Sequence, residues 1–246
     1  MSLGLPQDCL LVSVCFVKHR EKGYEFLQGR GVEIGALHEP CVLPENCSVC
    51  YFDVVDREEA IRLFPTLDSE LFMEVDVVGD IDKRDLRKLG ESSQDFVIAN
   101  HVIEHVANPV AMIEDLFFIT KHEGIVYLSA PDKRYTYDRE RGLTTFEHLK
   151  SEYEEGVDYV TDEHYLDFLR HAGKHVFEDP NRDIQADIEF NRQRREHAHV
   201  WNTETFLAFL ESCKTLLSLD YEILYHSPGD ENQIECLVVM KKSSEN

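Results

Sequence analysis

Apolar residues in this chain come in short runs that end on small or polar side chains. From residue 31 onward these runs alternate with segments whose apolar positions recur at helical spacing. Alternation of that kind predicts a parallel sheet flanked by helices. Residues 32–34 read as one buried strand and residues 96–100 as another, with runs ending at Asp53 and covering 72–78 and 125–130 as further strands. Asp56 followed by Glu59 predicts a helix N-terminus, and Pro65 should stop that helix. Residues 82–89 read as a short helix stopped by Gly90. Asn108 as cap and Pro109 at the first helical position begin a stronger one that runs to Thr120.

The pattern changes over residues 132–196, which are dense in charge and carry half of the chain's ten tyrosines. Thr144 with Glu147 predicts a capped helix there, residues 161–172 a second ended by Gly173, and Asp179-Pro180 opens a third. Core pattern resumes with a helix over 203–217 and two strands, 219–225 and 234–241, separated by Pro228-Gly229-Asp230. The expected organisation is one domain over residues 1–246, with 132–196 as a helical insertion that projects from the ligand side of the sheet as a lid. Only eleven residues, 37–47, separate the first strand from the second, and Pro40 and Pro44 interrupt them. That is too short for an ordinary helical crossover, so the first helix should be missing or reduced to a turn.

Composition narrows the function classes. With 25 basic and 48 acidic side chains the formal charge is −23, which repels phosphate backbones and anionic bilayers, so neither nucleic acid nor a membrane is an expected partner. The apolar run at residues 9–17 is too short to span a bilayer and lacks a basic leader. Seven cysteines, an odd number scattered through strands and helices, point to reduced thiols in a cytoplasm. Cys41, Cys47 and Cys50 lack a fourth ligand at finger spacing and read as core residues, so no metal site is expected there.

The residues with chemical character sit at strand ends, where an open α/β sheet binds its ligand. Glu33-x-Gly35 closes the first strand, Asp53 closes the second about twenty residues on, Asp80 follows the third, and the fourth runs into Asn100 and His101 within DFVIANHVIEHV. This order, with the strand GIVYLSAP after it, resembles the class I S-adenosylmethionine-dependent methyltransferases over residues 31–131. The resemblance implies a Rossmann-like, mostly parallel seven-stranded α/β sheet with an antiparallel C-terminal hairpin, and S-adenosyl-L-methionine as cofactor. It also implies that Asp53 holds the ribose, that Asp80 lies near the adenine, and that Glu33, Gly35 and Ala36 face the methionine part, with Asn100 and His101 beside the methyl group. The chain departs from the family in its glycine loop, where Ala36, Leu37 and His38 follow Gly35, and in His122-Glu123-Gly124 before the fifth strand.

Transfer of a methyl group to a hydroxyl needs a base, and histidine suits that near neutral pH. His101 is the first candidate, with His148, His164 and His199 from the insertion and its exit as others. The segment RYTYDRERGLTTFEHL resembles that of bacterial methyltransferases associated with surface polysaccharides, which implies a small or glycan-like acceptor, with an amine as a lesser option; the oligomeric state is not readable from sequence. Two rival readings remain open at this point. One is a cofactor-binding protein without catalysis, motivated by the reduced glycine loop. The other is a zinc peptidase, since His101-Val102-Ile103-Glu104-His105 matches H-x-x-E-H, a motif that needs one continuous helix. His197-x-His199 could bind a metal with a carboxylate, but such pairs are common without one and no metal is expected, while His105 reads as a packing or hydrogen-bonding residue. A dinucleotide enzyme is disfavoured because Gly35 stands without the further glycines that let a pyrophosphate approach.

Overall fold

The computed structural model describes residues 18–244, so the apolar run at 9–17 lies outside the described residues. Seven strands form one sheet in the order β3-β2-β1-β4-β5-β7-β6. They are β1 (Gly29–Ile34), β2 (Cys47–Asp53), β3 (Val77–Val78), β4 (Gln94–Asn100), β5 (Thr120–Pro131), β6 (Tyr221–Ser227) and β7 (Glu235–Lys242). The first five are parallel, and β7 pairs antiparallel with both β5 and β6. The expected Rossmann-like sheet with its antiparallel close is therefore present. Because β1 lies between β2 and β4, strand order reverses there, and the carboxyl ends of these three strands surround a crevice.

Alternation along the central strands sorts their side chains onto two faces. Val32, Ile34, Val97 and Ala99 join one core with α3 (Pro109–Ile119) and α7 (Thr203–Leu216). Phe96 and Ile98 join the other, covered by α1 (Lys18–Tyr24) through Tyr24 and by Cys41, Leu43 and Cys47. Between β1 and β2 there is no helix, only turns and extended chain, as the short, proline-broken connection predicts. α2 (Arg57–Leu63) starts where expected: Asp56 Oδ1 accepts from Glu59 N at 2.9 Å. Asn108 Oδ1 likewise accepts from Ala111 N at 2.9 Å and caps α3.

The third strand is shorter than its apolar run, with two residues in place of seven. Residues 69–71, just before that run, form a 3-10 turn capped by Asp68, and residues 72–76 carry no strand ladder. Residues 82–89 form two 3-10 turns broken at Arg84, whose φ of 61° interrupts any continuous helix. Within the insertion, α4 (Phe146–Glu155) is capped by Thr145 rather than Thr144, α5 (Asp162–His171) begins after Thr161, and α6 (Ile184–Gln193) is capped by Asp183. Asp179-Pro180 makes a turn before α6 instead of opening it. A short α8 (Gly229–Asn232) occupies the turn before β7.

The insertion is closed at its base, where Asp132 pairs with Trp201 and Lys133 N donates to the Trp201 carbonyl at 2.9 Å. It has its own apolar cluster, with Tyr165, Phe168 and Leu169 of α5 against Ile188 of α6, Val176 and Ala198. Arg141, 1% exposed, braces it by donating to Asp138, to Asp167 and to the carbonyls of His197 and Ala198. Phe146 and Tyr153 of α4 pack against the α3/α7 core, so this helix lies along the body rather than over the strand ends. Among the described residues no helix is long and apolar enough to cross a membrane.

Candidate active site

A cavity of about 350 Å³ lies at the carboxyl ends of β1, β2 and β4. β1 contributes Gly35, where the chain turns with φ 68°, a value that favours glycine; an added Cβ would also come within 2.9 Å of Val102 Cγ2. β2 contributes Asp53, whose Oδ1 accepts from Val54 N at 2.7 Å. Burial raises the Asp53 carboxyl above the ordinary aspartate value, although its backbone donors pull the other way. Ile81, Val102 and Phe64 provide apolar wall, and residues 193–196 of the insertion close one side. Arg195 is held there by Asp80 (2.7 Å) and Asp82 (3.2 Å). Arg194 reaches the Leu63 carbonyl and stacks 4.6 Å over Phe64.

The chain after β4 carries the polar chemistry. His101 follows the strand with φ 52°, and its Nε2 meets Glu235 Oε2 at 2.8 Å. Glu235 is fully buried at the start of β7 and also bonds Arg20 and His19. Burial alone would raise its carboxyl, but the bonds and charge of Arg20, with His101 and His19, hold it well below the carboxylate range. His105 also lines the cavity, and its Nδ1 lies against the Arg195 carbonyl. Since a carbonyl only accepts, Nδ1 carries the proton and Nε2 presents a lone pair. Burial, reinforced by His197, pushes the His105 imidazolium well below its usual value, so the ring is neutral near pH 7. His197 is raised instead. Burial would lower it, but the Asp138 carboxylate, 2.6 Å from Nδ1, dominates.

Of the residues expected at the cofactor, Gly35, Asp53 and His101 line the cavity, and four others do not. Glu33 and Asn100 fall on the opposite face of the sheet: Glu33 accepts from Cys41 N, and Asn100 bonds Cys41 Sγ and Ser129 Oγ. Ala36 is consumed by a turn, with its carbonyl accepting from Glu39 N. Asp80 caps the following 3-10 turn and pairs with Arg195, leaving Ile81 to face the cavity.

His148, His164 and His199 are also removed from this cavity. They gather around Glu152 at a second one, of about 530 Å³, because α4 packs along the body. Burial, with His164 and His148 nearby, drives the His199 imidazolium well below its usual value. His197 and His199 serve different clusters, so they do not form a shared pair. Cys41, Cys47 and Cys50 are half-buried, the first two packed against the core on the Phe96 and Ile98 face of the sheet, with Cys41 Sγ accepting from the Tyr24 hydroxyl at 3.0 Å.

Two features had weak sequence signals. The role of His105 depends on the Arg195 carbonyl ninety residues away. Glu235 was visible only as a charge opening an apolar strand. The peptidase motif fails on geometry, since residues 103–105 form a 3-10 turn and the two histidines are held by different groups, Glu235 and the Arg195 carbonyl.

A family model described as a methyltransferase domain matches residues 23–212. The chain belongs to this family. It is a class I methyltransferase whose cofactor is S-adenosylmethionine. No curated protein matches it. Among solved structures it is similar to a protein from Methanococcus maripaludis described as an S-adenosylmethionine-dependent methyltransferase, at 14% identity and a TM-score of 0.50, covering 98% of this chain and 90% of that one. A protein from Rhodobacter sphaeroides described as a Zn-dependent alcohol dehydrogenase gives 14% identity and a TM-score of 0.51, over 93% of this chain and 88% of that one. Likenesses at this identity are of fold.

The cavity fits the cofactor of the family. Asp53 would hold the ribose hydroxyls, Ile81 and Val54 would flank the adenine, and Gly35 would let the backbone approach the methionine part. The absence of a helix between β1 and β2 is compatible with a cofactor that carries no phosphate, because no helix N-terminus is needed beneath it.

Proposed function

We propose that this methyltransferase acts on a hydroxyl group of a small, glycan-like acceptor, with His105 accepting the hydroxyl proton. The cofactor supplies an electrophilic methyl group. The protein must then align the acceptor, exclude water and remove one proton. The neutral His105 imidazole beside His101 at the end of β4 carries this reading: its Nδ1–H is committed to a carbonyl, and its Nε2 lone pair makes no hydrogen bond among the described residues, with the Glu104 carboxylate 3.6 Å away. An amine acceptor that arrives as an ammonium would also need a base. The hydroxyl is favoured because both cavity carboxylates that could pair with an ammonium are engaged, Asp53 by the ribose in this reading and Glu196 by Arg194 at 3.1 Å.

The test is turnover of S-adenosylmethionine by the purified protein over a panel of sugars, phenols and amines. Turnover with hydroxyl acceptors is expected. His105→Gln should lower kcat by about a hundredfold or more with cofactor affinity unchanged. Because His105 is held neutral, wild-type kcat should stay level as pH falls to 6.5, the ordinary imidazole value. Methylation confined to amines would overturn the acceptor class, and an undiminished His105→Gln enzyme would overturn the base.

A further inference from the structure

The second cavity is where four ligand-type side chains converge from three parts of the chain. His148 and Glu152 stand one turn apart on α4, His164 comes from α5, and His199 from the return segment that follows the insertion. One donor atom from each lies within 4.8 Å of the others. His148 Nε2 is 3.4 Å from His164 Nε2. Glu152 Oε1 is 3.0 Å from His164 Nε2 and 3.2 Å from His148 Nε2, while Glu152 Oε2 is 3.8 Å from His199 Nε2. Metal–ligand bonds of about 2.0 to 2.1 Å at tetrahedral angles put neighbouring donors about 3.3 Å apart, close to the 3.0 to 3.4 Å among His148, His164 and Glu152 Oε1, with His199 the most distant donor.

Hydrogen bonding alone does not satisfy these groups. His164 Nδ1 faces the Ala198 carbonyl at 3.2 Å and so must donate, which leaves a lone pair on Nε2 directed at a carboxylate oxygen. Two lone pairs facing at that distance repel unless a proton or a cation lies between them. His199 is 1% exposed, and its Nε2 and the Glu152 Oε2 that it faces have no hydrogen-bond partner among the described residues. An unpaired buried imidazole and carboxylate are costly, and each is a good ligand in that state. The surroundings also resemble a second shell: the Ala198 carbonyl fixes the His164 tautomer, and Asn108 Nδ2 holds the α4 backbone at the Glu152 carbonyl.

We propose that His148, Glu152, His164 and His199 bind one divalent transition-metal ion, of the zinc class, that clamps α4 and α5 to the return segment of the insertion. Three imidazole nitrogens and one carboxylate oxygen complete a tetrahedron, so the ion is structural and leaves no position for substrate. The clamp also touches the active site indirectly. Ala198 N and His199 N both donate to the carbonyl of Glu104, the residue before His105.

The experiment is metal analysis of the full-length protein purified without chelator from zinc-supplemented medium, followed by stripping and titration with Zn²⁺ and Co²⁺. One equivalent per chain is expected, with the intense visible absorption of tetrahedral Co²⁺ in the substituted protein and a fall in Tm on stripping that Zn²⁺ reverses. His199→Ala and the pair His148→Ala/His164→Ala should lose the ion, while His197→Ala keeps it. Protein that holds no stoichiometric metal and gains no stability from either ion would overturn the proposal. So would a Co²⁺ spectrum that survives His199→Ala. The Co²⁺ spectrum of the wild type reads coordination directly, so the answer does not depend on the variants folding, and it is independent of whether methyl transfer is detected.

Discussion

Asp53 is a half-buried carboxylate and Glu235 a fully buried one, and their surroundings set them to different tasks. Asp53 faces a cavity and its Oδ1 accepts from the Val54 backbone N–H, which leaves acceptor capacity for a ligand. Asp53→Ala should weaken S-adenosylmethionine binding by about 2 to 3 kcal/mol, the cost of losing a charged bidentate contact, as calorimetry would read. Glu235 is saturated by Arg20, His19 and His101 and acts inside the fold. Glu235→Gln leaves Arg20 largely buried without its counter-charge and should cost about 3 kcal/mol of stability in urea unfolding. At this scale the sequence located Asp53 well, because a carboxylate closing a strand is a local pattern. It misplaced Glu33 and Asn100, since which face of a strand looks at the ligand depends on what covers the other face, here Cys41 and its neighbours.

Among the elements, α3 connects most of the structure. Asn108 caps it and also donates to the carbonyls of Glu152 and Val157, so one side chain ends a loop, starts a helix and fastens α4. Asn108→Ala should therefore cost more than the roughly 1 kcal/mol of a lost cap alone, measured as a shift in urea midpoint at constant m. The insertion was expected to cover the site with its histidines. Instead residues 193–196 do so, anchored by Arg194 and Arg195, while α4 and α5 stand apart. Hydrogen exchange should consequently slow at residues 193–196 when S-adenosylhomocysteine binds and change little in α5, whose cluster is already formed. Slowing confined to α4 and α5 would contradict this placement.

For the molecule as a whole, 48 acidic against 25 basic side chains make pH a strong lever on stability. Burial would raise Asp138 and Glu235, but their cationic and hydrogen-bonding partners hold both below ordinary values. Their contribution is present above the unfolded values of 3.8 and 4.5 and is lost as pH falls through the lower folded ones. Asp82 behaves in the opposite sense: burial lifts it to about 6, so what it contributes below pH 3.8 is lost as pH rises through 6. Tm should fall steeply below pH 4.5, and Glu235→Gln should flatten that limb in a calorimetric pH series.

What the sequence by itself determined is whatever depends on neighbours in the chain. Apolar runs set the strands, Asp56 and Asn108 set two helix starts, Pro40 and Pro44 removed the first crossover helix, and the order of strand-end residues identified the family. Tertiary structure decided the rest. The neutral state of His105 needs burial beside His197 and its tautomer needs the Arg195 carbonyl, Glu235 needs Arg20, and His148, His164 and His199 meet only because α4 and α5 fold back on the return segment of the insertion. Spacing within a strand or helix fixes a side chain's direction, but the protonation and ligand set of a buried group are fixed by residues distant in sequence, and those appear only once the chain has packed.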